Sequence, residues 1–188
     1  MKKLLLLAGL LVVAGSAFAA DIQTEASGEV EIFAQVLTDL NIETEPLNFG
    51  ILGLNDNKTV NPSQTEAGKF IIKGASNTNI SLTIEDTVDA NNKFKNGQIV
   101  AKLLREGGSN GAAHNDRLVP VIKIYDKGTQ LNDSDLSFNI ADHANLHEVK
   151  PKEFKVAGDI TTRKEQNTGS YKGAIKVTAK YDSWPEVK

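Results

Sequence analysis

A glycine-rich stretch contains the first residue type in the chain that could do covalent chemistry. The sequence from Gly107 to Gly111 reads G-G-S-N-G and matches G-x-S-x-G, the turn that presents a nucleophilic serine in many hydrolases. That turn needs a strand before it and a helix after it, within an α/β sheet. Residues 112–116 lead instead into another strand-like run, so we interpret the stretch as a loop. A hydrolase built around Ser109 is kept as a third hypothesis.

Two histidines and two acidic clusters have residue types that bind metals. His143 and His147 are spaced four residues apart, as two zinc ligands on one helix face would be, but no further ligand set surrounds them. Residues 55–57 (N-D-N) and 132–135 (N-D-S-D) offer oxygen ligands for calcium but lack the spacing and closing Glu of an EF-hand loop. We interpret the histidines as part of a polar connection and the acidic clusters as turns.

Aromatic and acidic residues give no further site. Trp184 and Tyr125 have rings that could stack on a sugar, but the chain has a single Trp and no aromatic cluster, so packing is the preferred interpretation. Asp and Glu are spread through the sequence, and no carboxylate pair suggests general acid-base catalysis. We therefore expect no enzyme, no metal site and no cofactor.

The composition excludes cysteine-based cross-links and metal sites, and it disfavours one class of partner. The 188 residues include 21 Lys and Arg, 24 Asp and Glu, and no cysteine, so disulfides and thiolate ligands are excluded. Loss of Lys2 and Lys3 with a leader would leave 19 basic against 24 acidic residues, a formal charge of −5. A mildly acidic chain without a basic cluster does not favour nucleic acid as a partner.

The first 19 residues have the organisation of a secretory signal peptide. Met1, Lys2 and Lys3 form a basic start, Leu4–Val13 is apolar, and Ala17-Phe18-Ala19 is an A-x-A cleavage site. The apolar run is too short to span a bilayer, and no later segment is long enough. The sequence therefore predicts cleavage after Ala19 and a mature, exported protein without a transmembrane segment.

Alternation of apolar and polar residues with period two recurs through the rest of the chain and predicts many short strands. The clearest run is Tyr171 to Tyr181; the stretch from Gln98 to Glu106 could be either a strand or a short helix. The other predicted strands are Phe70–Lys73, Ile80–Ile84, Leu118–Tyr125, Leu136–Ile140 and Phe154–Ile160, and the turn-rich stretches between them are Gly53–Ser63, Gly74–Asn79, Asp86–Gly97, Gly107–Asp116 and Asp126–Ser134. This pattern predicts one all-β domain, an antiparallel β-sandwich.

One predicted strand is too long for the domain. The even positions from Val30 to Ile42 keep one apolar phase, whereas strands usually run about 5 to 6 residues. Its first half, Gly28 to Val36, is the candidate for an arm that projects and pairs with another sheet edge. The alternative is one bent strand, or two strands, folded onto its own sandwich.

Four segments together resemble bacterial pilin subunits. They are Ala26–Ile32 (A-S-G-E-V-E-I), Leu47–Gly50 (L-N-F-G), Ile122–Asp126 (I-K-I-Y-D) and the closing stretch Gly169–Tyr181. Their order and spacing resemble archaic chaperone-usher pilins of the spore coat protein U-like group and a related family of small secreted sandwich domains.

The resemblance implies an immunoglobulin-like sandwich that lacks one strand and is completed by a donor strand. The domains would be 1–19, the signal peptide; 20–37, the donor arm; and 38–188, the sandwich. The arm would insert Val30, Ile32, Ala34 and Val36 into a groove lined by Tyr171, Ile175, Val177 and Tyr181. The implied partners are other copies or sister subunits, a periplasmic chaperone and an outer-membrane usher, and the implied function is a surface fimbria in adhesion or biofilm.

A second hypothesis is a self-complemented secreted binding module of the same fold. In that case the arm, or the stretch Asp182 to Lys188, would cover the groove of its own chain, and carbohydrate would be a candidate ligand of the surface. Pro185 cannot donate a ladder hydrogen bond, which argues against that stretch as a full replacement strand.

Overall fold

The computed structural model describes residues 39–75, 78–108, 113–140 and 151–182. Within these ranges the chain forms thirteen strands and two single-turn 3-10 helices, His114–Asp116 and Asp133–Leu136. The strands are β1 (Asn41–Glu45), β2 (Asn57–Val60), β3 (Gly68–Lys73), β4 (Asn79–Asp86), β5 (Gln98–Val100), β6 (Leu103–Arg105), β7 (Arg117–Leu118), β8 (Val121–Asp126), β9 (Thr129–Gln130), β10 (Ser137–Asn139), β11 (Pro151–Thr161), β12 (Tyr171–Lys172) and β13 (Ile175–Tyr181). The predicted signal peptide and donor arm lie outside the described residues.

All strand pairs are antiparallel and form one large and two small sheets. The large sheet has the order β1-β3-β11-β8-β5, with β2 pairing the second half of β11 and β9 pairing β8. The small sheets have the orders β10-β4-β13 and β12-β6-β7. Only Gly173 and Ala174 separate β12 from β13. A Cβ on Gly173 would collide with the backbone carbonyl of Lys102, so this position requires glycine.

This strand order is that of an immunoglobulin-like sandwich. The neighbours β1, β3, β11 and β8 correspond to strands A, B, E and D of such a sandwich, and β4 and β13 correspond to C and F. The predicted fold class, an all-β antiparallel sandwich, is therefore confirmed. Within the described ranges, no strand occupies the outer edge of β13, where strand G pairs in a complete immunoglobulin-like domain.

The core consists of the inward-facing residues of both layers. Burial alternates along β3 and β4, so that every second side chain faces the interior. Phe70 on β3 stacks on Phe154 on β11 with ring centroids 4.9 Å apart, and both rings are buried. Each fully buried large side chain contributes about 1.5–3 kcal/mol. In a chain without cysteine, this packing has to provide the stability that a disulfide would otherwise add.

Several stretches differ from the sequence-based expectation: β9 lies in a stretch expected to hold turns, the predicted strand Leu118–Tyr125 is divided into β7 and β8, and Leu136 lies in a 3-10 helix. The stretch Gly53–Ser63 was expected to hold turns only, but it contains β2, which has one buried residue, Val60, and therefore no apolar alternation to detect. The stretch Gln98–Glu106 forms two short strands, β5 and β6, and no helix. The run from Tyr171 to Tyr181 is interrupted at Gly173, where another backbone comes too close for a side chain.

Candidate functional site

Among the described strands, β13 lies at the edge of its sheet, and one of its sides has no strand paired to it. It pairs with β4 from Ile175 opposite Asp86 to Tyr181 opposite Ile80. The carbonyl oxygen of Ala174 accepts from the amide of Thr87 (3.1 Å), and the amide of Asp182 donates to the carbonyl of Asn79 (3.0 Å).

These two bonds fix the direction in which each backbone group of β13 points. Ladder bonds alternate along an antiparallel pair, so the even-numbered residues bond to β4. The N–H and C=O groups of Ile175, Val177 and Ala179 therefore point to the opposite edge, where no strand within the described ranges pairs with them. This edge is a template for an additional strand.

The same odd-numbered residues present their side chains to the core. Ile175, Val177 and Ala179 are half-buried and pack against the core, whereas Lys176, Thr178 and Lys180 are exposed. Lys176 forms an ion pair with Glu85 on the outer face (3.3 Å). An added strand would therefore bury apolar side chains on its inner face and keep polar ones outside.

An apolar cavity of about 1130 Å³ lies beside this edge. One rim is residues 44–54, which include the end of β1 and the segment after it, and the other is residues 166–175. The cavity is also lined by Lys69, Phe70, Ala101, Leu103, Leu118, Pro120, Ile122, Val156, Ile160 and Val177. We call the space between the two rims, including the open edge of β13, the groove.

The first rim is built from the L-N-F-G motif, Leu47–Gly50. Leu47 is half-buried and Phe49 is buried, and both pack against the core, so these two side chains anchor the rim. Between them, the Asn48 side-chain oxygen accepts from the amide of Gly50 (2.8 Å), and Gly50 has a φ of +69°, which favours glycine. Beyond the turn, Ile51 is 99% exposed and Leu54 is 54% exposed.

The second rim is held by the hydroxyl of Tyr171. The single proton of this hydroxyl is shared between the carbonyl oxygens of Asn167 (2.5 Å) and Asn115 (2.9 Å), and the hydroxyl oxygen accepts from Gln166 Nε2 (2.8 Å). A tyrosine at the start of strand F that bonds back to the backbone a few residues upstream is the tyrosine corner of immunoglobulin-like sandwiches. The bond to Asn167, four residues upstream, has this geometry.

A buried carboxylate ties the same corner to the neighbouring strand. Asp116 is buried, and its Oδ1 accepts from Arg105 Nε and from Asn167 Nδ2, both at 2.6 Å. The hydrogen bond with Asp116 raises the pKa of Arg105 above its ordinary value. Because Asn167 also bonds to Tyr171, the carboxylate and the tyrosine together fix the second rim.

Tyr181, the last residue of β13, lies at the opposite end of the groove. Its hydroxyl accepts from the amide of Ala75 (2.7 Å). A Cβ built on Gly74 would lie 2.8 Å from Leu40 Cδ2 and 3.0 Å from the Tyr181 hydroxyl, so Leu40 reaches the same place. Leu40 directly precedes β1 and lies near Tyr181, the end of β13. The segment after β1 borders Ile175, the start of β13. The strands β1 and β13 therefore run antiparallel to each other on the two sides of the groove.

The four residues predicted for the receiving strand have different positions. Tyr171, Ile175 and Val177 line the cavity, and Tyr181 lies at the opposite end against Ala75. The predicted arm residues Val30, Ile32, Ala34 and Val36 lie outside the described residues. Sequence reasoning missed the exposure of Ile51 and the bond from Gln166 to Tyr171, because the first depends on tertiary packing and the second on the path of an irregular loop.

The other candidate chemistry from the sequence is accounted for locally or lies outside the described ranges. Asp56 accepts from the amides of Gly53 (3.2 Å) and Asn57 (2.8 Å), and Asp135 accepts from the amide of Asn132 (2.7 Å), so these carboxylates serve turns. Among the described residues, no group of three His, Cys, Asp or Glu is arranged to hold a metal, and no helix is suited in length and hydropathy to cross a membrane. Ser109, His143, His147 and Trp184 lie outside these residues.

Comparison with solved structures gives a structural likeness at low sequence identity. No family model matches the chain, and no curated protein matches it. A solved structure similar to it belongs to a chaperone-tip adhesin complex described as vital for the activation of CFA/I fimbriae biogenesis. The likeness covers 76% of this chain and 43% of that chain, at 15% sequence identity and a TM-score of 0.37. The chain thus spans less than half the length of the structure it resembles.

Proposed function

We propose that this protein is a structural subunit of a surface fimbria, and that copies join when the amino-terminal arm of one enters the groove of the next. The observation that carries the proposal is the open edge of β13 beside an apolar cavity, at the position of strand G. The proposal includes export through the predicted signal peptide. A periplasmic chaperone and an outer-membrane usher are the partners that the resemblance to pilins adds.

The arm and the groove match in length and in pattern. The arm presents four apolar residues at alternate positions over the seven residues Val30 to Val36. The strand β13 also has seven residues, with inward-facing side chains at alternate positions. The inward-facing residues of β13 are also those whose backbone N–H and C=O groups point to the open edge. An arm that pairs with this edge would therefore place its own inward-facing residues directly opposite them.

The expected energy is sufficient for a joint without covalent bonds. Burial of Val30, Ile32 and Val36 would contribute roughly 1.5–3 kcal/mol each, with a smaller term for Ala34. Backbone hydrogen bonds along β13 would add to this, and the ordering of the arm would offset part of the gain. Since the chain has no cysteine, assembly and dissociation would not depend on redox conditions.

The test is a deletion of residues 21–37 with restoration by a peptide of the same sequence. We expect the shortened chain to fold, to stop assembling and to bind the peptide, as measured by circular dichroism, size-exclusion chromatography and fluorescence anisotropy. A peptide with Ile32→Asp is the matched control and should not bind. A shortened chain that folds but does not bind the wild-type peptide would contradict the proposal.

The second candidate, a self-complemented module, makes the opposite prediction for the full mature chain. It would stay monomeric at high concentration, refold alone and show slow hydrogen exchange in the arm at every concentration. The donor arrangement predicts that arm protection appears only when copies assemble. Hydrogen exchange measured across a dilution series separates the two.

A further inference from the structure

We propose that Arg117 and Arg163 form a binding site for an oxyanion, a sulfate or carboxylate group that is carried by a free ion or by an acidic sugar. The site lies where the 3-10 helix His114–Asp116 meets the loop before β12. This inference goes beyond the proposed function, because it does not depend on the arm or on the filling of the groove.

All three arginines of the chain lie at this corner. The sequence has 21 basic residues, and its arginines are at positions 105, 117 and 163. Arg105 Nε donates to the buried carboxylate of Asp116 (2.6 Å). Arg163 Nη1 donates to the carbonyl oxygen of His114 (2.9 Å), and Arg117 Nη2 lies 3.5 Å from Nδ1 of the same histidine. The guanidinium groups of Arg117 and Arg163 therefore meet at one residue.

The positive charges of Arg117 and Arg163 are not neutralised by a carboxylate. Among the described residues, Arg105 is the one arginine with an ion-pair partner. Next to Arg163, Lys164 and Glu165 are both exposed, and their opposite charges cancel. The Nε–H group of Arg117 is buried without a hydrogen-bond partner within the described ranges, whereas buried donors are nearly always bonded. The corner therefore has two permanent positive charges and a donor group that no described residue uses.

The backbone around both arginines is held in place by a buried glutamine. Gln166 Nε2 donates to the carbonyl oxygens of Asn115 (2.6 Å) and Arg117 (3.3 Å). The amide of Gln166 donates to the carbonyl oxygen of Arg163 (3.2 Å), so one residue connects the two segments that carry the arginines. A site whose backbone is fixed in this way loses less conformational entropy when a ligand binds.

The residue type at this corner indicates the chemistry of the ligand. A guanidinium group presents its N–H donors in a planar fork that matches two oxygens of a carboxylate or sulfate, whereas a lysine is a point charge. Arg117 and Arg163 are both half-buried, so an anion from solvent can reach their outer N–H groups. The whole chain has a formal charge of −3, so a general attraction of anions to its surface does not account for such binding.

The test is a nuclear magnetic resonance titration of the full mature chain below its assembly concentration. Its three arginines give three Nε–H signals, and the probes are sodium sulfate, a sulfated disaccharide and its unsulfated form, with ionic strength held constant by sodium chloride. We expect both sulfated probes to shift the Arg117 and Arg163 signals to saturation, and the Arg105 signal to stay because Asp116 occupies that group. Tighter binding of the sulfated disaccharide would identify an acidic sugar as the source, and equal affinity a free ion.

Variants separate a built site from diffuse attraction. Arg163→Gln should weaken binding by about tenfold or more, whereas the matched control Lys164→Gln, which removes the same charge from the adjacent exposed position, should change it by less than about twofold. Arg117→Lys keeps the charge but loses the fork, and it should weaken binding by at least about threefold with an unchanged thermal midpoint. Absence of a saturable shift with either sulfated probe, or equal weakening by Arg163→Gln and Lys164→Gln, would overturn the inference and leave the donor-arm proposal intact.

Discussion

The hydroxyl of Tyr171 connects the second rim of the groove to the segment around Asn115. It bonds to Asn115 after one loop, to Gln166 and to Asn167 before β12, while its ring lines the cavity. The period-two pattern placed Tyr171 on the inward face of a strand, which is where it lies. The pattern gave no sign of the hydroxyl contacts, because their partners are distant in sequence or belong to an irregular loop.

We expect Tyr171→Phe to lower the free energy of unfolding by about 1–3 kcal/mol, because Gln166 and the two carbonyl groups lose a buried partner. The ring remains, so the affinity for the arm peptide should change by less than about threefold. Tyr125→Phe is the control, as Tyr125 is a half-buried tyrosine on β8. Urea denaturation of both variants gives the comparison, and equal stability of the two would argue against a role for the corner.

The second residue-scale prediction concerns the arm. Ile32→Asp should abolish assembly and leave the sandwich folded, because an unpaired charge in an apolar groove costs several kcal/mol. Gln35→Asp adds the same charge at an odd-numbered position, which in a paired arm would face away from the groove. This variant should still assemble. Sedimentation and electron microscopy report assembly, and fibres of normal length from Ile32→Asp would count against the donor arm.

At the scale of elements, β13 has two edges with different roles. One edge bonds to β4 through the even-numbered residues, and the other presents the backbone groups of the odd-numbered residues. The two kinds of position can be separated by proline, which has no N–H to donate.

Proline at Ala179 removes a donor from the open edge, whereas proline at Thr178 removes one from the ladder with β4. We expect Ala179→Pro to remain folded and to bind the arm peptide at least about tenfold more weakly, since one ladder bond is lost and the ring obstructs the edge. Thr178→Pro should lower the free energy of unfolding by about 2 kcal/mol more than Ala179→Pro does. Undiminished peptide binding by a folded Ala179→Pro variant would contradict the use of this edge.

A polar cluster joins β2, β11 and β8 on the outer face of the large sheet. Asp159 accepts from Thr59 Oγ1 (2.6 Å) and from Lys123 Nζ (2.9 Å). The hydrogen bond from Thr59, followed by that from Lys123, lowers the pKa of Asp159 below its ordinary value.

The stabilisation that Asp159 gives is therefore complete above its unfolded pKa, near 3.9, and is lost as the pH falls through the lower folded value. Both partners are partly exposed, so we expect at most about 1 kcal/mol. Asp159→Asn should lower the free energy of unfolding at pH 7 and reduce its fall between about pH 5 and pH 2. Urea denaturation at several pH values measures this, and an unchanged acid slope would contradict it.

Most strands could be predicted from alternation because one face of each is buried. The run from Val30 to Ile42 contains Leu40 and Ile42, which pack on the core at the start of β1, and its earlier part lies outside the described residues. The small strands β2 and β9 could not be predicted, because each is short, and Val60 is the one buried residue between them, so no apolar alternation marks them. At the site, the alternation predicted the strand β13. The cavity and the two rims beside this strand depend on tertiary packing, which the alternation does not report.

At the scale of the molecule, the described residues form a sandwich whose core continues into the groove. The cavity is lined by core residues of the large sheet, such as Phe70 and Ile122, together with Ile175 and Val177 of the second layer. The stability of such a domain should depend on whether the groove is filled, since a bound arm adds to the same core.

We expect the arm peptide to raise the thermal midpoint of the chain that lacks residues 21–37. At a free concentration of 100 times its dissociation constant, a ligand that binds only the folded state adds about 2.7 kcal/mol. For a domain of this size this corresponds to an increase of about 5–11 °C. Differential scanning fluorimetry measures the shift, and the Ile32→Asp peptide should cause none.

The direction of β13 along the groove has a mechanical consequence. An arm paired with this edge would be pulled along its own length when a filament is stretched, so its ladder hydrogen bonds would bear the load together in shear. Bonds loaded in this way fail as a group, whereas bonds loaded across a strand open one after another. A joint made of a single seven-residue strand would then resist brief pulling forces well beyond what its equilibrium affinity suggests.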